Sequence, residues 1–376
     1  MIKCSDGMDP ALTFPKGLCM GQDGNEPSGR KAREGLKVNV RTLGIDLAKN
    51  VFRVHGVDEN GKILVARQLR RRQLLPFIAQ LKPCLVGMEA CGGARYFARE
   101  IAKHGHEVRL MSPRFVRPYV KSNKNDARDA EAICEAVTRP SMRFVVVKSQ
   151  AQQDVLALHR VRALLIRERT ALMNQMRGLL AESGIVIPQG SATLRRAVAE
   201  LQDNENGSTP ILREILVEMS ERLRLFEERL KGYDTRITGL ARNDQQVARL
   251  MAVEGVGPIT ATALVATVGD ARQFRTGREL SAWLGLTPRQ HSSGERTVLL
   301  GISKRGDRYL RTLLIHGARS ALYYAARRHT RRSEWLEGVR KRRGNNIAAV
   351  ALANKNARIL WALLRRGEDY RVRLAA

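Results

Sequence analysis

Between residues 39 and 113 the chain switches repeatedly between strand-like and helical periodicity, and that alternation confines this region to an α/β sheet domain. NVRTLGIDLAKNVFRVHGVD (39–58) reads as two strands joined by a turn near Lys49 and Asn50, and KILVARQL (62–69) as a third. Residues 71–81 read as a helix. CLVGMEA (84–90) is short and almost continuously apolar, as a buried parallel strand is. ARYFAREIAKHG (94–105) reads as a helix stopped by Gly105, and HEVRLMSP (106–113) as a strand stopped by Pro113. DARDAEAICEAVT (126–138) is helical in period, and FVVVKS (144–149) reads as one more strand.

From residue 150 the pattern changes. An Arg-rich stretch to about 186 and another from about 210 to 241 repeat apolar residues at three and four, as a helical pair or coiled coil does. Residues 187–209, with Pro, Gly, Ser and Asn, read as partly loop. VEGVGPITATALVATVGD (253–270) has the form of a helix-hairpin-helix, in which Gly255 and Gly257 let backbone amides approach a phosphate; a glycine-capped helix start without a ligand is the plainer alternative. The expected division is a disordered extension over 1–36, a mixed-sheet domain over 37–149 and a helical arm over 150–245. A mostly helical unit over 246–330 and a basic helical tail over 331–376 follow.

The 66 Lys and Arg against 37 Asp and Glu give a formal charge of +29, which attracts polyanions and makes nucleic acid the expected partner. Aromatic residues are 5%, too few for wide base-stacking platforms. Cys4, Cys19, Cys84, Cys91 and Cys134 form no CxxC pair and no zinc spacing, so they read as free thiols in a reducing compartment. No apolar run approaches the length of a membrane span, and no membrane partner is expected. Lys304, Arg305, Arg308 and Arg311 are expected to form a basic helix face toward phosphate, and Arg340, Lys341, Arg342 and Arg343 a second basic patch.

Against this charge four acids stand out. Asp46 in GIDLAKN and Glu89 in GMEACGG each end an apolar strand, where an unpartnered carboxylate is costly. Asp126 and Asp129 are three apart at a helix start and share a face; an N-cap and a first-turn acid would explain that pair equally. Converging at one sheet edge, the four would hold hard divalent cations such as Mg²⁺ or Mn²⁺ through oxygen. Further on, TPRQHSSGER (Thr287–Arg296) reads as a polar loop with adjacent Ser292 and Ser293 beside His291. By itself it is turn chemistry.

The motifs GIDLAKN, GMEACGG and KNDARDAEAI, with EGVGPITATAL, LSAWLGLTPRQHSSGER and GISKRGDRYLR, resemble the DEDD transposases of insertion sequences, relatives of the Piv-type DNA invertase and described as bridge-RNA-guided recombinases. The resemblance covers roughly residues 38–330. It implies a RuvC-like, RNase H-type first domain with Asp46, Glu89, Asp126 and Asp129 as the metal-binding catalytic set. It also implies a nucleophilic serine in the SSG loop, Ser293 or alternatively Ser292, that forms a phosphoserine on DNA before a 3′-OH rejoins the strand. A noncoding guide RNA, donor and target DNA, a homodimer assembling to a tetramer and a place at the nucleoid of a prokaryotic cytoplasm follow from the same likeness. A RuvC-like nuclease using water and a non-catalytic nucleic-acid-binding protein are the other readings. The latter leaves the four acids unexplained.

Overall fold

In the computed structural model, residues 39–120, 126–203, 209–294, 296–327 and 330–371 are described. The expected extension over 1–36 lies outside them. β1 (Thr42–Leu47), β2 (Val51–Val57) and β3 (Ile63–Arg70) form an antiparallel meander. The helix expected over 71–81 is present in two joined pieces, a 3-10 turn over Arg71–Gln73 and the short α1 (Leu74–Ile78), since Pro76 has no amide proton with which to continue one α-helical ladder across them. β4 (Leu85–Glu89) lies parallel to β1, α2 (Ala94–Ala102) crosses over, and β5 (Glu107–Met111) lies parallel to β4. After the short α3 (Pro113–Val116), α4 (Asp126–Val137) returns the chain to the sheet. β6 (Phe144–Val145) pairs antiparallel with β5. It is shorter than FVVVKS promised, because only those two residues reach β5 before Val147 turns into the core. The sheet order is β3-β2-β1-β4-β5-β6.

Apolar residues fill both faces of this mixed sheet. On one, Leu43, Ile45, Phe52, Val86 and Met88 pack with Phe97, Ala98 and Ile101 of α2. On the other, α4 presses Ile133, Ala136 and Val137 against the sheet region around Met111. Two glycines set how closely α4 approaches: a Cβ on Gly44 would lie 2.2 Å from the Ala130 carbonyl oxygen, and one on Gly87 would lie 2.8 Å from Cβ of Val137.

α5 (Gln150–Glu182) opens with a capping box in which Ser149 accepts from the Gln152 amide and Gln152 answers to the Ser149 amide. Residues 187–209 are more than loop: α6 (Ser191–Asp203) lies within them, its Leu194 and Val198 one helical turn apart and buried on the long helices. α7 (Pro210–Arg242) packs on α5 through Leu216, Met219, Leu223, Phe226 and Leu230, spaced three and four apart, against Leu165, Leu172, Met176 and Leu180.

The remaining elements are α8 (Gln245–Met251), α9 (Pro258–Val268), α10 (Gly277–Trp283), β7 (Pro288–Ser293), β8 (Arg296–Ile302), α11 (Arg308–Tyr323), α12 (Arg331–Arg343) and α13 (Asn345–Arg366). The helices among them share one core, and this corrects the reading of 331–376 as a tail. Ala349, Leu352, Ala353, Ala357 and Leu360 of α13 pack with Leu264, Leu280, Leu284 and Leu314. The helical stretch 331–366 also contains a window long and apolar enough to cross a membrane, which the sequence reading missed; 44% of that window is buried within the protein itself.

Candidate carboxylate site and serine hairpin

The register of the sheet builds the site. Thr42 lies opposite Leu85 and Ile45 opposite Met88 in the parallel pair β1–β4. The pairing ends there, and the next residue of each strand is an acid, Asp46 and Glu89, near enough for the charge of Asp46 to act on Glu89. In both strands the acid comes two residues after a glycine, Gly44 or Gly87, and so points to the same face. That face carries α4, whose close approach the glycines permit. α4 therefore brings Asp129, in its first turn, over the two strand ends. The consequence is electrostatic. The Glu89 carboxyl is pushed above the usual range first by burial, then by the negative charges of Asp46 and Asp129. Asp126 is the first residue of α4; its side chain lies outside the described residues.

Sequence reasoning passed over Cys91, two residues beyond Glu89. Burial raises its thiol pKa, and Glu89 and Asp46 raise it further, which places its sulfur in the field of the acids. The signal was present in GMEACGG but carried no spacing that distinguishes a site thiol from a structural one. A cavity of about 820 Å³, lined by Arg41, His55, Glu107, Glu131 and Glu135 among others, lies at the other end of the strands and contains none of the four acids.

As a donor set the acids suit a hard divalent cation: oxygen ligands only, with like charges that an ion would relieve. Among the described residues no three His, Cys, Asp or Glu side chains already stand close enough to hold one. The cluster is thus an open one, whose described side chains would have to draw in around an ion.

The expected polar loop at Thr287–Arg296 is instead a β-hairpin. β7 and β8 pair from Pro288↔Ile302 to Ser293↔Arg296, with Gly294 at φ 56° in the turn. Its residues are exposed throughout β7, so it lacks the buried alternation by which a strand is recognised in sequence. Two-residue alternation puts Gln290 and Ser292 on one face of the ribbon and His291 and Ser293 on the other. Gln290 Nε2 donates to Ser292 Oγ at 2.8 Å.

The basic helix face expected from Lys304, Arg305, Arg308 and Arg311 does not form. Lys304 and Arg305 precede α11, Lys304 at φ 54°, and both are exposed, as is Arg308. Arg311 is 8% exposed, and its Nη1 donates to the Leu284 carbonyl at 3.0 Å and the Arg305 carbonyl at 3.1 Å. It holds the hairpin's exit against α10 and has no face for phosphate. Gly255 is likewise accounted for by packing. At φ 78° it lies against α11, where an added Cβ would stand 2.5 Å from the Gly317 carbonyl oxygen. Gly257, at the start of α9, faces open space. Arg340, Lys341, Arg342 and Arg343 are all exposed at the end of α12, where positive charge also suits the helix dipole.

Comparison with known proteins accords with this arrangement. A family model for a DEDD-type transposase matches residues 43–185, and one described as the IS116/IS110/IS902 family of transposases matches residues 247–333. A probable family 20 transposase of Pseudomonas aeruginosa is 53% identical over 89% of this chain and 99% of its own. The transposase of insertion sequence element IS1111A from Coxiella burnetii is 46% identical over 91% and 94%, and that of IS1328 from Yersinia enterocolitica 42% over 88% and 98%. With a mixed, RuvC-like sheet that ends in Asp46 and Glu89 and relatives this similar along nearly their whole length, the chain belongs to the IS116/IS110/IS902 family of DEDD transposases.

Proposed function

We propose that the protein cuts and rejoins DNA at the ends of an insertion sequence, with Asp46, Glu89, Asp126 and Asp129 as a metal-binding set and a hairpin serine as nucleophile. The observation that supports this is that Asp46 and Glu89 follow the last paired residues of β1 and β4 and that the charges of Asp46 and Asp129 both act on Glu89. A divalent cation, Mg²⁺ or Mn²⁺, would supply charge neutralisation at the phosphodiester there. The carboxylates orient that charge and repel the DNA backbone in its absence.

Ser293 is the better nucleophile of the doublet. Ser292 Oγ is engaged by Gln290, whereas Ser293 Oγ has no hydrogen-bond partner among the described residues. Its oxygen would bond to phosphorus, the P–O3′ bond would break, and the leaving 3′-oxygen would take up a proton. A 3′-OH from another strand then reverses the step and frees the serine. Exposure of every residue of β7 supports a composite site, in which Ser293 of one subunit meets the carboxylates of another within a homodimer or tetramer. The turn before α9, open at Gly257, is suited to a backbone phosphate as in a helix-hairpin-helix. The net charge of +29 leaves ample capacity for a noncoding guide RNA beside donor and target DNA.

The test is a trapping assay with protein, guide RNA, Mg²⁺ and nicked donor DNA, run on a denaturing gel. A protein–DNA adduct is expected in the wild type and in Ser292→Ala, and none in Ser293→Ala. Cleavage without adduct in all three would overturn the serine mechanism in favour of metal-activated water.

A further inference from the structure

We propose that Arg95 and Arg160, with Arg99 and Lys148 bracing the elements that carry them, form a phosphate-binding site for a DNA strand, at the junction of the carboxylate sheet, α5 and the unit that bears the serine hairpin. The proposal rests on the DNA-cutting reading above and names where the strand is gripped.

The site is built from three elements. Arg95 and Arg99 lie one turn apart on α2, so they share a face. Arg99 ties that helix to the start of α5: its Nη1 donates to the Lys148 carbonyl at 2.9 Å, its Nη2 to Gln150 Oε1 at 2.8 Å, and Nη1 also to Gln153 Oε1. Lys148 is 8% exposed, with Nζ 2.5 Å from the Thr267 carbonyl oxygen of α9. Arg160 comes seven residues after Gln153 on α5, two turns along the same face, and is exposed. The charges feel one another. Arg95 is held below the usual guanidinium range by burial, then by Arg160 and Arg99. Lys148 is lowered to about 8 by burial, Arg95 and Arg160, with Asp307 acting in the other direction.

Against these four cations Asp307 is the acid whose charge acts on Lys148. Some arginines of this chain are paired with acids, as Arg162 with Asp234 and Arg195 with Glu227, while Arg169, Arg177, Arg213 and Arg332 share with Arg95 a buried Nε that has no hydrogen-bond partner among the described residues. Here Arg95 Nε is buried with no hydrogen-bond partner among the described residues, an arrangement that costs free energy until an acceptor arrives. The nearby acids are committed: Asp307 Oδ1 accepts from the Leu310 amide as the N-cap of α11, and Asp154 Oδ1 accepts from Gln150 Nε2. An anion bearing several oxygens could satisfy Arg95 and offset the repulsion together.

Position identifies that anion as a phosphodiester of the processed strand. Arg95 sits in the first turn of α2, just after the Gly92-Gly93 turn that follows Glu89. Asp307 opens α11 directly beyond the serine hairpin. The cations therefore lie between the carboxylate end of β4 and the base of that hairpin.

The test is equilibrium binding of a duplex of arbitrary sequence to the full-length protein in EDTA, across a series of salt concentrations. Wild type is compared with Arg160→Gln, Arg160→Lys, Arg95→Gln and, as a charge control on α7, Arg229→Gln. Arg160→Gln is expected to weaken binding roughly fivefold and to reduce the log–log salt slope by about 0.9, the value of one phosphate contact. Arg160→Lys should keep the slope, and Arg229→Gln should change neither quantity. Since Arg160 is exposed, this arm stands even if Arg95→Gln fails to fold. An unchanged slope in Arg160→Gln overturns the proposal; so does a loss confined to an RNA oligonucleotide of the same length, which would assign the site to RNA. Cleavage is not needed for this readout. A slope change alongside an inactive wild type would overturn the recombinase reading alone.

Discussion

His159 of α5 accepts a hydrogen bond from the hydroxyl of Tyr309 on α11, with Nδ1 and the phenol oxygen 3.0 Å apart. The direction follows from the other side of the ring. Thr262 Oγ1 gives its proton to the Pro258 carbonyl at 2.7 Å, so His159 Nε2, 3.0 Å away, must donate to Thr262. His159 is 1% exposed, and burial followed by the charge of Arg162 lowers its pKa to about 4. The neutral imidazole thus joins the long arm to the unit that carries the hairpin.

This makes the joint sensitive to acid. The folded pKa, about 4, lies below the unfolded value of 6.5, so as pH falls through that interval the unfolded state takes up a proton that the folded state refuses. Stability contributed by neutral His159 is complete above 6.5 and falls toward pH 4, by at most about 2 kcal/mol at pH 5. Urea unfolding at pH 7 and pH 5 should show a larger loss in wild type than in His159→Leu. Equal losses would remove His159 from the account.

Glu89→Gln is expected to abolish strand cleavage while leaving the fold intact. Because Asp46 and Asp129 both repel the Glu89 charge, the variant should melt at or above the wild-type temperature in EDTA. Mg²⁺ should raise the wild-type melting temperature and raise that of the variant less. A variant that melts clearly lower in EDTA would give Glu89 a structural role.

Arg311 and Arg308 separate structure from binding. Arg311→Ala leaves the Leu284 and Arg305 carbonyls without their charged donor and should cost about 3 kcal/mol. Arg308→Ala, at an exposed position, should change stability by less than about 0.5 kcal/mol. Chemical denaturation of the two variants decides the matter, and similar losses would contradict the assignment.

At Gly317 a Cβ would stand 1.8 Å from the Gly255 carbonyl oxygen. Gly317→Ala must push α11 away from the turn before α9 and is expected to cost about 3 kcal/mol. A melting temperature equal to wild type would show that the two backbones are not in contact.

Neutralising Arg340, Lys341, Arg342 and Arg343 together should weaken DNA binding broadly and flatten its salt dependence. Arg340→Gln alone should do least, since Glu337 already pairs with Arg340 at 2.6 Å. A full salt slope in the quadruple variant would count against the patch.

What could be read from the sequence was what local pattern determines. β1, β2 and β3 follow from alternation and β-branched residues and β4 from a short continuous apolar run, and Asp46 and Glu89 are conspicuous because carboxylates seldom end apolar strands. What escaped was what only distant contacts decide. Arg311 has the same side chain as Arg308 and differs only in meeting the carbonyls of Leu284 and Arg305. Gly255 has the sequence of a phosphate loop, but its conformation serves the approach of Gly317. The hairpin that carries Ser293 has no buried face to imprint a period on its residues.

The burial of α13 among Leu264, Leu280, Leu284 and Leu314 has a consequence for synthesis. The carboxylate sheet is complete by residue 145 and can fold while translation continues, whereas the core that seats the serine hairpin cannot close until residues 345–366 have left the ribosome. A chain stalled before α13 thus holds the finished carboxylate sheet without a fixed seat for the hairpin, so translation must pass through α13 before the sheet and the seated hairpin exist together.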